Sequence, residues 1–130
     1  MFLFINTTQS GNLTVVLYST TQKIAQETVE GPHSISEKLI ETIDKLLQSQ
    51  NTTSNSLSGI IVATGPGSFT GLRIACAVAN TLGQTLDIPL FGAPLSELDT
   101  DEKIILATSK VAKGITLVPT YDREANITIM

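Results

Sequence analysis

A glycine-rich segment, "ATGPGSFTGLRIA" at residues 63–75, has the residue types best suited to chemistry in this 130-residue chain. It follows the apolar run "GIIVAT" and leads into a second apolar stretch with helical character. A strand, a glycine-rich turn and a helix N-terminus can hold a phosphate, because backbone N–H groups and the positive end of the helix dipole face the anion. The residues that would make this contact are Gly65, Pro66, Gly67, Ser68, Phe69, Thr70 and Gly71.

The spacing of these glycines favours a structural role over phosphate binding. The segment lacks the Lys-Ser/Thr pair of a P-loop, and G-x-G-x-x-x-G is not the dinucleotide fingerprint. Gly65 and Gly67 supply backbone angles that other residues avoid. Ser68 or Thr70 caps the following helix, and Gly71 allows it to pack closely. The loop is therefore interpreted chiefly as the entry to a helix.

The other candidates for chemistry have ordinary structural interpretations. His33 is the only histidine and precedes a helix start, which suits a capping or surface role better than a general base. Cys76 is the only cysteine and lies in an apolar helix. One histidine and one cysteine exclude a zinc knuckle or a two-histidine metal site built from this chain alone. Asp99, Asp101 and Glu102 suit a solvated loop, so no metal, catalytic residue or cofactor is predicted.

Composition indicates a globular protein that does not grip nucleic acid by itself. Apolar residues make up 42% of the chain and charged residues 15%. The net charge of -4 and the pI near 4.8 disfavour direct binding of a phosphate backbone, which needs clustered Lys and Arg. No apolar run approaches the ~18 residues of a membrane span, and the start "MFLFIN" lacks the basic region of a signal peptide. A cytoplasmic location without membrane contact is expected.

Strands and helices alternate around the glycine-rich segment. Ser34 and Glu37 have the spacing of a capping box, and an amphipathic apolar pattern follows them. The predicted elements are an antiparallel meander of strands at 2–5, 13–19 and 23–29, a helix at 34–48, a strand at 59–64, a helix at 69–86, a strand at 88–94, a short helix or loop at 95–103, and strands at 104–108, 115–118 and 126–130. This order predicts an α/β fold. Residues 1–100 would form a ribonuclease-H-like lobe with a mixed sheet and flanking helices, and residues 101–130 would form a truncated second lobe of short strands.

The helix at 69–86 is apolar over most of its circumference. Ile74, Val78 and Leu82 form a bulky stripe, and a second stripe of small side chains comprises Gly71, Ala75, Ala79 and Gly83. Because no charged face is left for solvent, either both stripes are buried inside the domain or the small stripe admits a helix of another protein. Arg73 lies in the first turn, where the dipole disfavours a cation, and it indicates an anionic partner such as an acidic side chain.

The string "TGPGSFTGLRIA", preceded by a three-strand meander and by "HSISEKLIETIDKLL", resembles the TsaB (YeaZ) family. This family is related to TsaD within the actin/hexokinase-like ATPase fold. "IPLFGAP" matches the next strand of the family, and the resemblance covers residues 1–98. Beyond it, "KIILATSKVAKGITLVPTYDRE" resembles only the opening of the family's second lobe.

The resemblance implies a non-catalytic scaffold subunit in the synthesis of tRNA N6-threonylcarbamoyladenosine. In that family, TsaD transfers the threonylcarbamoyl group, TsaB supports TsaD through the two helices of its first lobe, and the ATPase TsaE binds the pair. The tRNA would be reached only through the complex, and a homodimer is the alternative when the chain is alone. The interface implied here comprises Ile35, Leu39, Ile43, Leu72, Arg73, Ala75, Cys76, Ala79 and Gly83.

Two other functions compete with the scaffold role. An ATP-binding protein or ATPase of the actin-like fold would use the loop from Gly65 to Gly71 for phosphate. Asn6 stands where related proteins carry Asp in the first strand, and the loss of that carboxylate removes a ligand for Mg²⁺ or water. A metallopeptidase is the third hypothesis, and the single histidine counts against it.

Overall fold

The computed structural model describes residues 1–9, 11–31 and 34–120. His33 and the strand predicted at 126–130 therefore lie outside the described residues. The strands are β1 (Phe2–Asn6), β2 (Leu13–Tyr18), β3 (Lys23–Val29), β4 (Gly59–Ala63) and β5 (Leu90–Ala93). The helices are α1 (Ile35–Ser49), α2 (Phe69–Leu86) and α3 (Asp101–Ala107), with short 3-10 helices at Ser54–Ser56 and Leu95–Glu97.

The five strands form one mixed sheet in the order β3-β2-β1-β4-β5. The meander of β1, β2 and β3 is antiparallel, whereas β4 pairs parallel with both β1 and β5. All five residues of β4 are buried, as expected for a continuous apolar strand covered on both faces. The mixed sheet with flanking helices confirms the predicted α/β architecture.

Helices α1 and α2 cover one face of the sheet. Leu39, Leu46 and Leu47 of α1 join Ala75 and Ala79 of α2 in a core cluster with side chains of β1, β2 and β4. Helix α1 begins at the predicted place, but the capping box is not formed. The Ser34 side chain makes no hydrogen bond to the α1 backbone, and its Oγ lies 3.2 Å from the Ser36 Oγ.

The opposite face of the sheet is covered by α3, where a strand at 104–108 was predicted. Thr100 caps this helix by accepting a hydrogen bond from the Lys103 N–H at 3.2 Å. Two acidic residues follow in the first turn, where the helix dipole favours them. Ile104 and Ala107, three residues apart, then point into the sheet. The strand prediction was wrong because these terminal signals outweigh the short apolar run.

The predicted strand at 115–118 is also wrong. The segment from 112 to 120 follows the edge of the sheet with one isolated bridge, between Ala112 and Leu90. Asn80 of α2 then replaces a strand partner: its Nδ2 donates to the Leu117 carbonyl oxygen at 2.9 Å, and its Oδ1 accepts from the Leu117 N–H at 2.8 Å. Residues 101–120 contain no strand, although the division at residue 100 stays a prediction.

Tyr18 links α3 to the sheet. Its side chain is buried at the end of β2, and its hydroxyl donates to Asp101 Oδ1 at 2.7 Å. The pKa of Tyr18 is raised well above its usual value of 10. Burial is the largest cause, and the hydrogen bond to Asp101 and the negative charge of Asp101 add to it. Within the described ranges no helix has the length and apolar character needed to cross a membrane.

We expect Tyr18→Phe to lower the free energy of unfolding at neutral pH by about 1–2 kcal/mol, because a buried hydrogen bond to a carboxylate is lost. A raised folded-state pKa means that the stability from Tyr18 is present below the unfolded-state pKa and is lost as pH rises above about 10. Guanidinium denaturation should therefore show the gap between wild type and variant narrowing between about pH 9 and pH 11. A gap that stays constant over this range would contradict the assignment.

Candidate functional site

The glycine-rich loop between β4 and α2 lies directly against the residues that follow β1. The Ser68 N–H donates to the Thr8 carbonyl oxygen at 3.1 Å, and a Cβ added at Gly67 would collide with that oxygen. A Cβ at Gly71 would lie 2.8 Å from the Thr7 carbonyl oxygen, and the Thr7 hydroxyl donates to the Gly71 carbonyl at 2.8 Å. Glycine is required at these positions by close packing.

Gly65 is enclosed on the other side of the loop. Its φ of +147° and the Thr120 carbonyl oxygen, which a Cβ would strike, both require glycine. The Leu95 N–H donates to the Gly65 carbonyl at 2.7 Å, and the Thr120 N–H donates to the Thr64 carbonyl at 2.6 Å. The Gly65–Pro66 peptide bond is cis. The loop is thereby held between the ends of three strands and the segment that contains Thr120.

Ser68 is the capping residue of α2. Its Oγ accepts a hydrogen bond from the Gly71 N–H at 3.4 Å, and Thr70 is exposed to solvent. Phe69 and Pro66 are exposed as well. Of the two caps considered from the sequence, the structure thus selects Ser68.

This geometry weighs against phosphate binding by Gly65 and Gly67. Carbonyl oxygens of Thr120 and Thr8 lie close to Gly65 and Gly67, and such oxygens repel an anion. The Ser68 N–H, which a phosphate would need, already donates to the Thr8 carbonyl. Asn6 Oδ1 accepts from the Thr8 N–H at 3.0 Å and from the Thr8 hydroxyl at 2.7 Å. The amide at the end of β1 therefore shapes the turn that supports Gly67.

The small stripe of α2 faces the sheet of the same chain. Ala75 and Ala79 have no solvent exposure, and a Cβ at Gly83 would lie 2.9 Å from Leu90 Cδ2. Burial also raises the pKa of the Cys76 thiol to about 11. The predicted interface residues that the structure buries, and that a partner cannot reach, are Leu39, Ile43, Leu72, Ala75, Cys76, Ala79 and Gly83. For these residues the interface prediction was wrong.

The interface prediction failed for these residues because the small stripe of α2 is the one that packs against the sheet. Small side chains allow α2 to approach the Thr7 main chain, which follows β1, and the Leu90 side chain of β5. The bulky stripe lies beside this contact line and is half-buried against the same core. The sequence pattern identified both stripes and left open whether both are buried; the structure buries the small stripe fully and the bulky stripe in part. Ile35, by contrast, is half-buried, and Arg73 is exposed.

An apolar surface runs along the outer sides of α1 and α2. We call this surface the outer helical strip; its members are Ile40, Phe69, Ile74, Ala77, Val78 and Leu82. One shallow groove of about 200 Å³ separates Ile40 from Val78, and a second of about 310 Å³ lies beside Phe69 and Ile74. Ala77 lines both grooves, which makes the strip continuous. Ile40 is 54% exposed and Phe69 55% exposed.

The acidic residues considered for metal binding make structural contacts. Asp99 forms an ion pair with Lys103 at 2.9 Å, and this hydrogen bond lowers the pKa of Asp99. Asp101 accepts the hydrogen bond from Tyr18. Among residues 1–9, 11–31 and 34–120, no three His, Cys, Asp or Glu side chains group to form a metal site.

Comparisons with known proteins identify the family. A family model for TsaD, described as tRNA N6-adenosine threonylcarbamoyltransferase, matches residues 21–98. The tRNA threonylcarbamoyladenosine biosynthesis protein TsaB of Bacillus subtilis is 40% identical over 68 residues, which are 52% of this chain and 28% of that protein. TsaB of Buchnera aphidicola is 35% identical over 77 residues, 59% of this chain and 33% of that protein. The chain belongs to the TsaB (YeaZ) family.

The solved structure of YeaZ from Pseudomonas aeruginosa has the same fold. It superimposes with a TM-score of 0.65 at 24% identity, over 72% of this chain and 43% of that structure. This likeness supports the predicted ribonuclease-H-like lobe of the actin-like ATPase fold. The chain spans about a third of the length of the TsaB relatives that it matches. The matched region of the TsaB-family chain includes the glycine-rich loop and both helices of the outer helical strip.

We expect Gly67→Ala to lower the free energy of unfolding by about 1–3 kcal/mol, because the new methyl group collides with the Thr8 main chain. Urea denaturation measures this loss. Thr70→Ala, in the same loop but exposed, is the control and should change stability by less than about 0.5 kcal/mol. Equal stability of the two variants would mean that the loop does not depend on this contact.

Proposed function

We propose that this chain acts in tRNA N6-threonylcarbamoyladenosine biosynthesis as a non-catalytic subunit that binds and supports a TsaD-like catalytic partner. The observation that carries the proposal is the outer helical strip, a continuous apolar surface across two helices of a TsaB-family chain. An apolar helix face exposed to water is unfavourable unless another surface covers it. The relatives are named for tRNA threonylcarbamoyladenosine biosynthesis, and we propose that this chain acts in the same process, in the cytoplasm.

The proposed contact surface differs from the one inferred from the sequence. The partner covers the bulky stripe of α2 and Ile40 of α1, while the small stripe holds the helix on its own sheet. Ile35 and Arg73 remain in the proposed interface. A packing of two helices from each protein would bury Ile40, Val78 and Leu82 at its centre.

The remaining partners follow from this assembly. A TsaE-like ATPase would bind the pair, and tRNA would be contacted through the complex, because the net charge of -4 disfavours phosphate backbones on this chain. A second copy of the chain is the competing occupant of the strip when the partner is absent.

We expect Ala77→Glu and Ile40→Glu each to weaken binding of the TsaD-like protein of the same genome by about a hundredfold, because each buries an unpaired charge. Both side chains are exposed, so the variants should keep the wild-type melting temperature. Isothermal titration calorimetry measures the affinity, and sedimentation shows whether self-association changes instead.

Leu106→Glu is the matched control for these variants. Leu106 is an apolar side chain of α3 that is 67% exposed, on the opposite face of the sheet from α1 and α2. Leu106→Glu should leave the affinity for the TsaD-like protein unchanged. Wild-type affinity of Ala77→Glu and Ile40→Glu would remove the strip from the interface. A Trp at Ala75 or Ala79 is unsuitable for this purpose, because both residues are buried.

The ATP-binding hypothesis makes a separate prediction. We expect the isolated chain to show no measurable heat of ATP binding, since carbonyl oxygens lie against Gly65 and Gly67 and Asn6 is occupied by Thr8. Calorimetry with Mg²⁺ and ATP tests this directly. A micromolar dissociation constant would favour the nucleotide-binding function instead.

A further inference from the structure

Arg73 is a single positive charge beside the outer helical strip. It is the only basic residue of α2, it is exposed, and it lines a groove with Phe69 and Ile74. The ion pairs of the described residues involve Lys38, Lys103 and Lys113, and none includes Arg73. The charge is thus available to a molecule that covers the strip.

The Arg73 side chain is held in place before any partner binds. Its guanidinium carbon lies 5.2 Å from the centre of the Phe69 ring, a cation–π contact. Arginine stacked on an aromatic ring loses less conformational entropy when it forms further hydrogen bonds. The N-terminal end of α2 adds to the positive potential there. A carboxylate can meet the planar guanidinium with two parallel hydrogen bonds.

The opposite edge of the strip carries negative charge. Glu37 and Asp44 are exposed on α1, one turn before and one turn after Ile40, and so share its side of the helix. The strip therefore has a basic edge on α2 and an acidic edge on α1. A nucleic-acid backbone would be repelled by the acidic edge, whereas a protein surface with an acidic and a basic group on either side of an apolar stripe would match both edges.

We infer that the protein partner presents an Asp or Glu side chain to Arg73, and that this ion pair fixes the orientation in which the partner lies on the outer helical strip. The inference rests on the proposed docking function. Apolar contact along the strip supplies affinity without distinguishing the two directions of a partner helix. The opposite charges on the two edges make one direction favourable and place like charges together in the other.

Charge reversal at Arg73 tests the inference with the full chain and the TsaD-like protein of the same genome. Arg73→Glu should weaken binding by roughly tenfold or more and flatten the dependence of affinity on salt. Arg73→Lys, which keeps the charge but loses the planar guanidinium, should fall between wild type and Arg73→Glu. Lys23→Glu, on the edge strand β3, makes the same change of charge away from the strip and should have no effect.

A second substitution, in the partner, that restores the affinity lost in Arg73→Glu would identify the partner residue that contacts Arg73. A carboxylate-to-lysine substitution in the partner that recovers the affinity of Arg73→Glu, and weakens binding of the wild-type chain, would support the ion pair. If Ala77→Glu abolishes binding while Arg73→Glu binds as tightly as wild type, docking stands and the inference is overturned. If neither variant changes the affinity, the docking function itself fails. Loss of tRNA binding or of self-association by Arg73→Glu, with partner affinity unchanged, would also overturn the inference by assigning Arg73 to another ligand.

Discussion

The close approach of α2 to its own sheet is the constraint on which the rest of the lobe depends. At one end of the helix Gly71 lies against the Thr7 main chain, and at the other Gly83 lies against the Leu90 side chain, so a methyl group at either position would require its neighbour to move. Between them Ala75 and Ala79 are fully buried. Because the helix is pressed onto the sheet along this line, the bulky stripe of Ile74, Val78 and Leu82 lies to one side and stays partly exposed. The same contact that stabilises the lobe thus exposes the surface proposed for the partner.

The sequence predicted those features that depend on local pattern. Continuous apolar character located β4, and Ser68 was among the caps proposed for α2. The direction of the two stripes of α2 could not be read from periodicity, because each forms a regular apolar row. Only the room beside Thr7 and Leu90 decides which row faces inward, and that distance is a property of the folded chain. The sequence pattern therefore identified both stripes of α2, whereas the burial of the small stripe emerged only from the folded structure.

The segment after residue 100 shows a different limit. Ile104 and its apolar neighbours suit a strand when they are taken alone, yet Thr100 and the two acids after it begin a helix. Tyr18, more than eighty positions earlier, holds this helix by its hydrogen bond to Asp101. A contact between residues so distant in sequence leaves no periodic signal in either segment. This is why the fold class could be predicted from the sequence while the cover of the second face of the sheet could not.

Asn80 shows how a chain can acquire an extra pairing without an additional strand. Its side-chain amide offers one donor and one acceptor in a plane, as a peptide group does, and both are used by Leu117. The α2 helix therefore presents a peptide-like pair of donor and acceptor to the main chain of Leu117. Such mimicry depends on both atoms of the amide. An aspartate would keep the acceptor but lose the donor, so at this position the chemical difference of a single NH₂ group separates a docked segment from one with an unpaired carbonyl.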